Sequence, residues 1–245
     1  IEDGALRSVI RTVHKFNDSY LTQDFILAKN QKTLRVDCKA MWQEKFSLLK
    51  MSFAVGGEDE ISTYEIPGGF IKRPCNGEEE PALNWADVTV TKNGKRSGIA
   101  IMSDSKYSYD CVGAELRLTA LRNVIFADHY SDRPEANFDF TDEGLNRFSY
   151  GIYLHSGEAE NSEVMKEAHI FNNNIVAVLE SYHKGDLDPV DSFMYVDCDN
   201  VEITALKRCE DGSGDLIIRL YETKGIDCTR AMLMSKLFDN GFWFD

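Results

Sequence analysis

The chain has little that marks a membrane, secreted or nucleic-acid-binding protein. Its 245 residues contain no apolar run of about 18 and no charged-then-apolar start, so neither a spanning helix nor a signal peptide is legible. Basic residues are outnumbered, 27 Lys and Arg against 41 Asp and Glu, and the net charge of −14 excludes a generic binder of phosphate backbones. The six cysteines (Cys38, Cys75, Cys111, Cys198, Cys209, Cys228) form no CxxC pair, which favours thiols in a reducing compartment over a disulfide framework. The five histidines show no HxxxH or HxH spacing, so no zinc site is legible. Neither GxSxG, GxxxxGK[ST], HExxH nor GxGxxG occurs, and no repeat or low-complexity segment is present. The first residue is Ile1 and not Met, and the sequence reads as a piece of something longer.

What is present is alternation. Hydrophobic residues make up 43% of the chain, enough for a sizeable core, and they recur at every second position, the mark of strands with one buried face. Leu34, Val36, Cys38, Ala40 and Trp42 form one such run, and Leu49, Met51, Phe53 and Val55 a neighbouring one. Leu116, Leu118 and Ala120 follow, then Phe148, Tyr150, Ile152 and Leu154 alternating with Ser149, Gly151 and Tyr153. Val201, Ile203 and Ala205 precede an Asp211-Gly212-Ser213-Gly214 turn, and Leu216, Ile218 and Leu220 follow it, which predicts a hairpin. Residues 161–171 alone have a helical period, through Val164, Ala168 and Phe171. About a dozen strands without intervening helices predict an all-β chain, a large antiparallel β-sandwich with one short helix near 161–171. The weak seam at residues 155–190 reads as a crossover inside a single 1–245 domain.

The five prolines (Pro67, Pro74, Pro81, Pro134, Pro189) fall where the alternation breaks. The longest break, residues 63–86, holds Tyr64, three of those prolines, Lys72-Arg73 and Glu78-Glu79-Glu80. A long connection in a β domain is often functional. Arg73 offers a planar fork for vicinal hydroxyls or a carboxylate, and Tyr64 a face for a sugar ring; a solvated loop held by its own ion pairs is the alternative. A second cluster, residues 103–110, combines short polar side chains with Tyr107 and Tyr109 and suits either a hydrogen-bonded sugar site or an edge turn. Asp128, His129 and Asp132 are metal-capable by type, but an Asp-rich turn accounts for them equally.

Seven stretches together resemble a known family: YEIPGGFIKRP (64–74), NGEEEPALNWADV (76–88), SDSKYSYD (103–110), ELRLTALR (115–122), the turn at 128–133, YLHSG (153–157) and VEITALKRCEDGSGDLIIRLYET (201–223). In order and spacing they resemble the C-terminal β-sandwich region of glycoside hydrolase family 38, the class II α-mannosidases, and most of all its intracellular and bacterial members. Gly68, Ser103, Ser108, Ala120 and Asn174 depart from the pattern, which has Phe, Asn, Gly, Leu and Pro there.

The resemblance implies a supersandwich of galactose-mutarotase type, and a parent enzyme that removes terminal α-linked mannose with retention. Such an enzyme uses two carboxyl groups about 5 Å apart, together with a zinc ion that in this family grips sugar hydroxyls. The nucleophile, the acid/base and the zinc ligands belong to the family's N-terminal domain, so no catalytic residue, metal ligand or cofactor is assigned to this chain, which is expected to be inactive by itself. By matching position, the expected substrate-rim residues are Tyr64, Glu65, Lys72 and Arg73 of the first cluster and Asp104, Lys106 and Tyr107 of the second, with Arg73 either positioning substrate or locking its own loop. The expected partners are the parent's own N-terminal catalytic domain, an α-mannoside or oligosaccharide, and a second copy in a homo-oligomer, with no nucleic acid and no membrane. The expected compartment is the cytoplasm. An autonomous carbohydrate-binding module, with Tyr64 or Trp85 exposed to sugar, is the alternative, and a pure scaffold for the missing half is a third reading.

Overall fold

The structure, a computed structural model, describes residues 1–126, 139–185, 188–228, 231–235 and 242–244. Its residues group into two compact units, Ile1–Ile66 with Phe70–Asn174, and Pro67–Gly69 with Ile175–Asp245. The second unit's main stretch begins inside the seam at 155–190.

The first unit is a two-sheet sandwich. Nine antiparallel strands run in the order β1 (Glu2–Asp3), β2 (Arg7–Phe16), β3 (Ser19–Ala28), β4 (Thr33–Trp42), β13 (Gly144–Ser156), β10 (Lys95–Ser103), β9 (Trp85–Lys92), β6 (Glu58–Ile66) and β7 (Gly69–Arg73). Opposite lie four, β5 (Ser47–Ala54), β12 (Glu115–Asn123), β11 (Ser108–Val112) and β8 (Glu80–Pro81). The two runs at 34–42 and 49–55 therefore fall in different sheets. They face each other across the core instead of pairing, with Val36, Cys38, Ala40 and Trp42 of β4 in one cluster with Met51 of β5. The β12 alternation slips at a bulge between Thr119 and Leu121, which lets Ala120 and Leu121 both turn inward.

The central parts of strands β9, β10 and β13 are buried on both faces. Helix α1 (Val164–Asn172) follows a 3₁₀ turn at Ala159–Asn161, so the helical period begins three residues later than its pattern predicts. Val164, Ala168 and Phe171 pack on Trp85, Ala100, Met102 and Tyr153. Small residues on the sheet permit this approach. A Cβ on Gly151 would lie 3.0–3.1 Å from the Phe171 ring, and the guanidinium of Arg35, the cross-strand partner of Gly151, lies 5.0 Å from the centroid of that ring.

The stretch at 63–86 is not one loop. It contains the β6–β7 hairpin turn, in which Gly68 takes a φ of +78°, all of β7, the short strand β8 and the start of β9. Pro81 sits inside β8 on the edge of the smaller sheet, where its missing N–H costs no ladder bond.

In the second unit, β15 (Val201–Arg208) and β16 (Leu216–Glu222) form the predicted hairpin about residues 211–214. Its apolar residues stay only half covered, with Leu216 at 46% exposure. Strands β14 (Met194–Val196), β17 (Ala231–Ser235) and β18 (Phe242–Phe244) make a three-stranded sheet. No helix among the described residues is long and apolar enough to cross a membrane.

Candidate functional site

The two motif clusters meet at one end of the first unit, stitched together by residues 82–84. Leu83 N–H donates to the Glu65 carbonyl (3.1 Å), and Asn84 N–H to the Glu65 carboxylate (2.6 Å). Ala82 N–H donates to the Tyr107 carbonyl (2.9 Å), and Ser103 N–H to the Asn84 carbonyl (3.0 Å). The Ser103 hydroxyl then accepts from the Lys106 N–H at 3.0 Å, closing a tight turn that presents Asp104, Lys106 and Tyr107.

Within this end the seven expected rim residues divide. Tyr64 is 1% exposed; its ring meets Tyr109 edge-on at 6.3 Å, and the Arg73 guanidinium lies 5.4 Å above it. Burial pushes the Tyr64 phenol well above its ordinary range. Arg73 pairs with Glu80, and its carbonyl accepts the Ser62 hydroxyl at 2.8 Å, so its charge is met within its own loop. Tyr64 and Arg73 thus lock the loop, and Trp85 is likewise fully enclosed, so neither aromatic ring offers a face to a sugar. Glu65 is held against residues 83 and 84, and Lys72 donates to Glu160 at 2.7 Å. Asp104, Lys106 and Tyr107 reach the surface, Tyr107 with 55% exposure.

Two recesses flank their turn. One, of about 540 Å³, has Leu48, Ala120 and Leu121 in its lining and Lys106, Tyr107, Arg122 and Asp142 among its polar groups. Charged and hydroxyl groups about an apolar floor, with an exposed aromatic at the edge, form the kind of surface that takes up a sugar. The other, of about 500 Å³, crosses β2, β3, β4 and β13 and is polar, with Arg11, Asp24, Asp37, Lys39, Asp104 and Arg147 in its wall. There Arg11 clasps Asp24 through two bonds of 2.6 Å, and the Ser149 N–H donates to Asp104 at 3.0 Å.

Residue-type reasoning missed two charged clusters. Glu79, read as part of a charge run, accepts from Lys50, from Thr119 and from Ser108 (2.7 Å). Burial alone would raise its carboxyl, but these donors hold it down at about 2. Next to it Asp110, 1% exposed, is clamped by Lys50 and by Arg117 at 2.5 Å. On the opposite face of the sandwich His155 Nε2 lies 2.7 Å from Asp87, both residues enclosed, and Thr89 donates to the same carboxylate at 2.7 Å. Burial raises Asp87, with His155 and Thr89 opposing. The only sequence signal for this pair is that Asp87 and His155 sit in the NWADV and YLHSG stretches.

Zinc does not fit the described residues, among which no three His, Cys, Asp or Glu side chains converge. Asp128, His129 and Asp132 lie outside the described residues.

Comparison with known proteins agrees with this architecture. Residues 1–130 match the family described as the glycosyl hydrolases family 38 C-terminal domain. Alpha-mannosidase G of Dictyostelium discoideum is 26% identical over 239 residues, 92% of this chain and 21% of that protein. Human alpha-mannosidase 2C1 is 26% identical over 86% of the chain and 20% of its own length, and the alpha-mannosidase of Saccharomyces cerevisiae 27% over 75% and 17%. The chain thus spans about a fifth of the length of these relatives. Among solved structures, a glycosyl hydrolase family 38 protein from Enterococcus faecalis superposes with a TM-score of 0.75 at 19% identity, over 89% of this chain and 26% of that one. An alpha-mannosidase from E. faecalis V583 does so with 0.74 at 17%, over 89% and 25%, and both show a shared fold. With more than half its length matched, this chain belongs to the C-terminal domain family of glycosyl hydrolase family 38.

Proposed function

We propose that this chain is the C-terminal β-sandwich portion of a cytoplasmic α-mannosidase that releases terminal α-linked mannose with retention of configuration. The observation that carries the reading is similarity to α-mannosidases over as much as 92% of the chain. In this reading the nucleophile, the acid/base and the zinc ligands come from the parent's catalytic domain. The sandwich supports that domain and supplies part of the substrate rim.

A specific feature supports the supporting role. The nine-stranded sheet has five strands more than the four-stranded sheet opposite, and while Leu21 and Phe25 of β3 still pack on the core, the core side of β2 near the sheet edge is left open. Ile10 pairs with Phe25, and Phe25 with Val36, so these residues point to the core side of the sheet. Yet Ile10 is 67% exposed, Phe16 61% and Leu27 50%, on that same side of the sheet. Uncovered apolar area of this kind marks a surface meant for another body, here the catalytic domain, with a second copy of the chain as the other claimant. For the rim, the reading assigns Lys106 and Tyr107 to hydroxyl and ring contacts at the 540 Å³ recess, with Asp104 on the polar side of the same turn.

The test uses the full-length α-mannosidase that carries this sequence. Ile10→Asp with Phe16→Asp lowers kcat/KM at least tenfold, while the isolated 245-residue chain bearing the same changes keeps its thermal midpoint. Tyr107→Ala raises KM more than it lowers kcat. A doubly substituted enzyme as active as the parent overturns the supporting role, and an unchanged KM in the Tyr107 variant overturns the rim assignment.

A further inference from the structure

The second unit carries a feature that neither recess nor family accounts for. Cys198 and Cys228 bracket the β15–β16 hairpin, 30 residues apart, and their sulfurs lie 2.9 Å from one another as thiols. That is about 0.9 Å more than the roughly 2.05 Å of a disulfide bond.

The approach is imposed by the surrounding chain and not by the sulfurs alone. Cys198 Sγ donates to Asn200 Oδ1 at 2.6 Å. The Asn200 side-chain amide donates to Glu222 Oε1 (2.9 Å) and to the Ile226 carbonyl (3.2 Å), and Thr223 N–H donates to the Asn200 carbonyl at 2.8 Å. The Glu222 carboxylate accepts the backbone N–H groups of Lys224 (2.7 Å), Gly225 (2.6 Å) and Ile226 (3.2 Å), folding the loop that brings residue 228 back to residue 198. Cys228 also lines an open recess of about 470 Å³ with Glu222, Ile226 and Asp227, a volume that can admit a small reagent.

We propose that Cys198 and Cys228 are a reversible redox pair, converted to a disulfide by a low-molecular-weight disulfide of the glutathione class. The Cys228 thiolate attacks one sulfur of the reagent, the reagent's S–S bond breaks, and one small thiol leaves with a proton. Cys198 then loses its proton to solvent and attacks the Cys228 sulfur of the mixed disulfide, expelling the second small thiol. Two protein thiols are oxidised by two electrons, and one reagent disulfide is reduced to two thiols.

The remaining cysteines define the controls. Cys38 and Cys111 are enclosed, and burial drives the Cys38 thiol up to about 12, where it is inert. Cys75 is half-buried, with a thiol drawn down to about 7 by its hydrogen bond with Cys111, and is the competitor for the same reagent.

The test incubates the native 245-residue chain with oxidised glutathione at neutral pH, quenches by alkylation in denaturant so that the enclosed thiols react too, and counts and maps the thiols. The expected result is a fall from six alkylatable thiols to four, a mass loss of two hydrogens, and a cross-linked peptide pair containing residues 198 and 228 that a dithiol reductant separates. Cys198→Ser keeps a glutathione adduct on Cys228 and forms no cross-link. A chain that keeps all six thiols, or one whose lost pair maps to Cys75 and Cys111 with 198 and 228 alkylated, overturns the proposal.

Discussion

Replacing Gly98 by Ala tests the buried Asp87–His155 pair with a single methyl group. Gly98 lies on β10 between Thr89 of β9 and His155 of β13, in register with both. A Cβ there would sit 2.6 Å from His155 Nε2, 2.7 Å from its Cε1 and 2.7 Å from Thr89 Oγ1. The imidazole has no room to slide, being 2% exposed and stacked on Tyr153 with centroids 6.2 Å apart. Overpacking a core site costs about 1–3 kcal/mol. Pushing His155 off Asp87 leaves a buried polar group without its partner, which adds about 1–3 kcal/mol. The expected loss is therefore about 2–6 kcal/mol, a large part of a total stability of about 5–15 kcal/mol. Urea unfolding followed by circular dichroism reads it as a lower midpoint. Gly69→Ala, where nothing lies within 4 Å, is the control and should stay within about 0.5 kcal/mol. In a His155→Ala background the methyl has space, so the two changes are non-additive by more than about 1 kcal/mol. A Gly98→Ala loss under about 1 kcal/mol, or simple additivity, refutes the reasoning.

Phe171→Ala removes the ring that packs α1 onto Gly151 beside Arg35, and should cost about 3–5 kcal/mol, with helical signal at 222 nm lost before the sheet signal. Glu79 is held down at about 2 against an ordinary 4.5, so its share of stability is complete above pH 4.5 and is lost as the pH falls toward 2. Because its side chain is 39% exposed, solvent screening reduces that share to on the order of 1 kcal/mol; acid titration of Glu79→Gln should show a shallower loss than the parent, and an identical acid limb would contradict the assignment. Asp110→Asn leaves Lys50 and Arg117 facing a neutral amide 1% exposed, and should lower stability by about 3 kcal/mol in urea, whereas Lys106→Ala at the surface stays within about 0.5 kcal/mol.

Much of the sandwich is legible in the sequence because a strand with one buried face must alternate. The run through Leu116 and Leu118 reads that way, and both residues are fully buried. Alternation reports burial and not partnership, which is why the runs at 34–42 and 49–55 look adjacent and yet belong to opposite sheets. It also fails where both faces are covered. Ser149, Gly151 and Tyr153 look like the outer face of β13, but Tyr153 is 6% exposed because α1 lies over that face. Prolines and charges hid β7 and β8 in the stretch at 63–86, since short edge strands carry little hydrophobic pattern. For the candidate site, residue type picked out two clusters that the fold brings together, but did not report their exposure. Tyr64 and Arg73 look like ligand-binding groups, and only the three-dimensional structure shows the guanidinium closed onto Glu80 and the ring onto Tyr109. Asp87 and His155 are 68 residues apart, and no local spacing announces their contact.

The central claim is that this β-sandwich serves an α-mannosidase without holding its catalytic groups. The most direct test is hydrolysis of a chromogenic α-mannoside by the purified 245-residue chain, with zinc supplied and bound metal quantified. The account predicts no turnover above the uncatalysed rate and no stoichiometric zinc. Turnover at an enzyme-like rate with one zinc per chain would contradict it, and would place the nucleophile, the acid/base and the zinc ligands within these 245 residues.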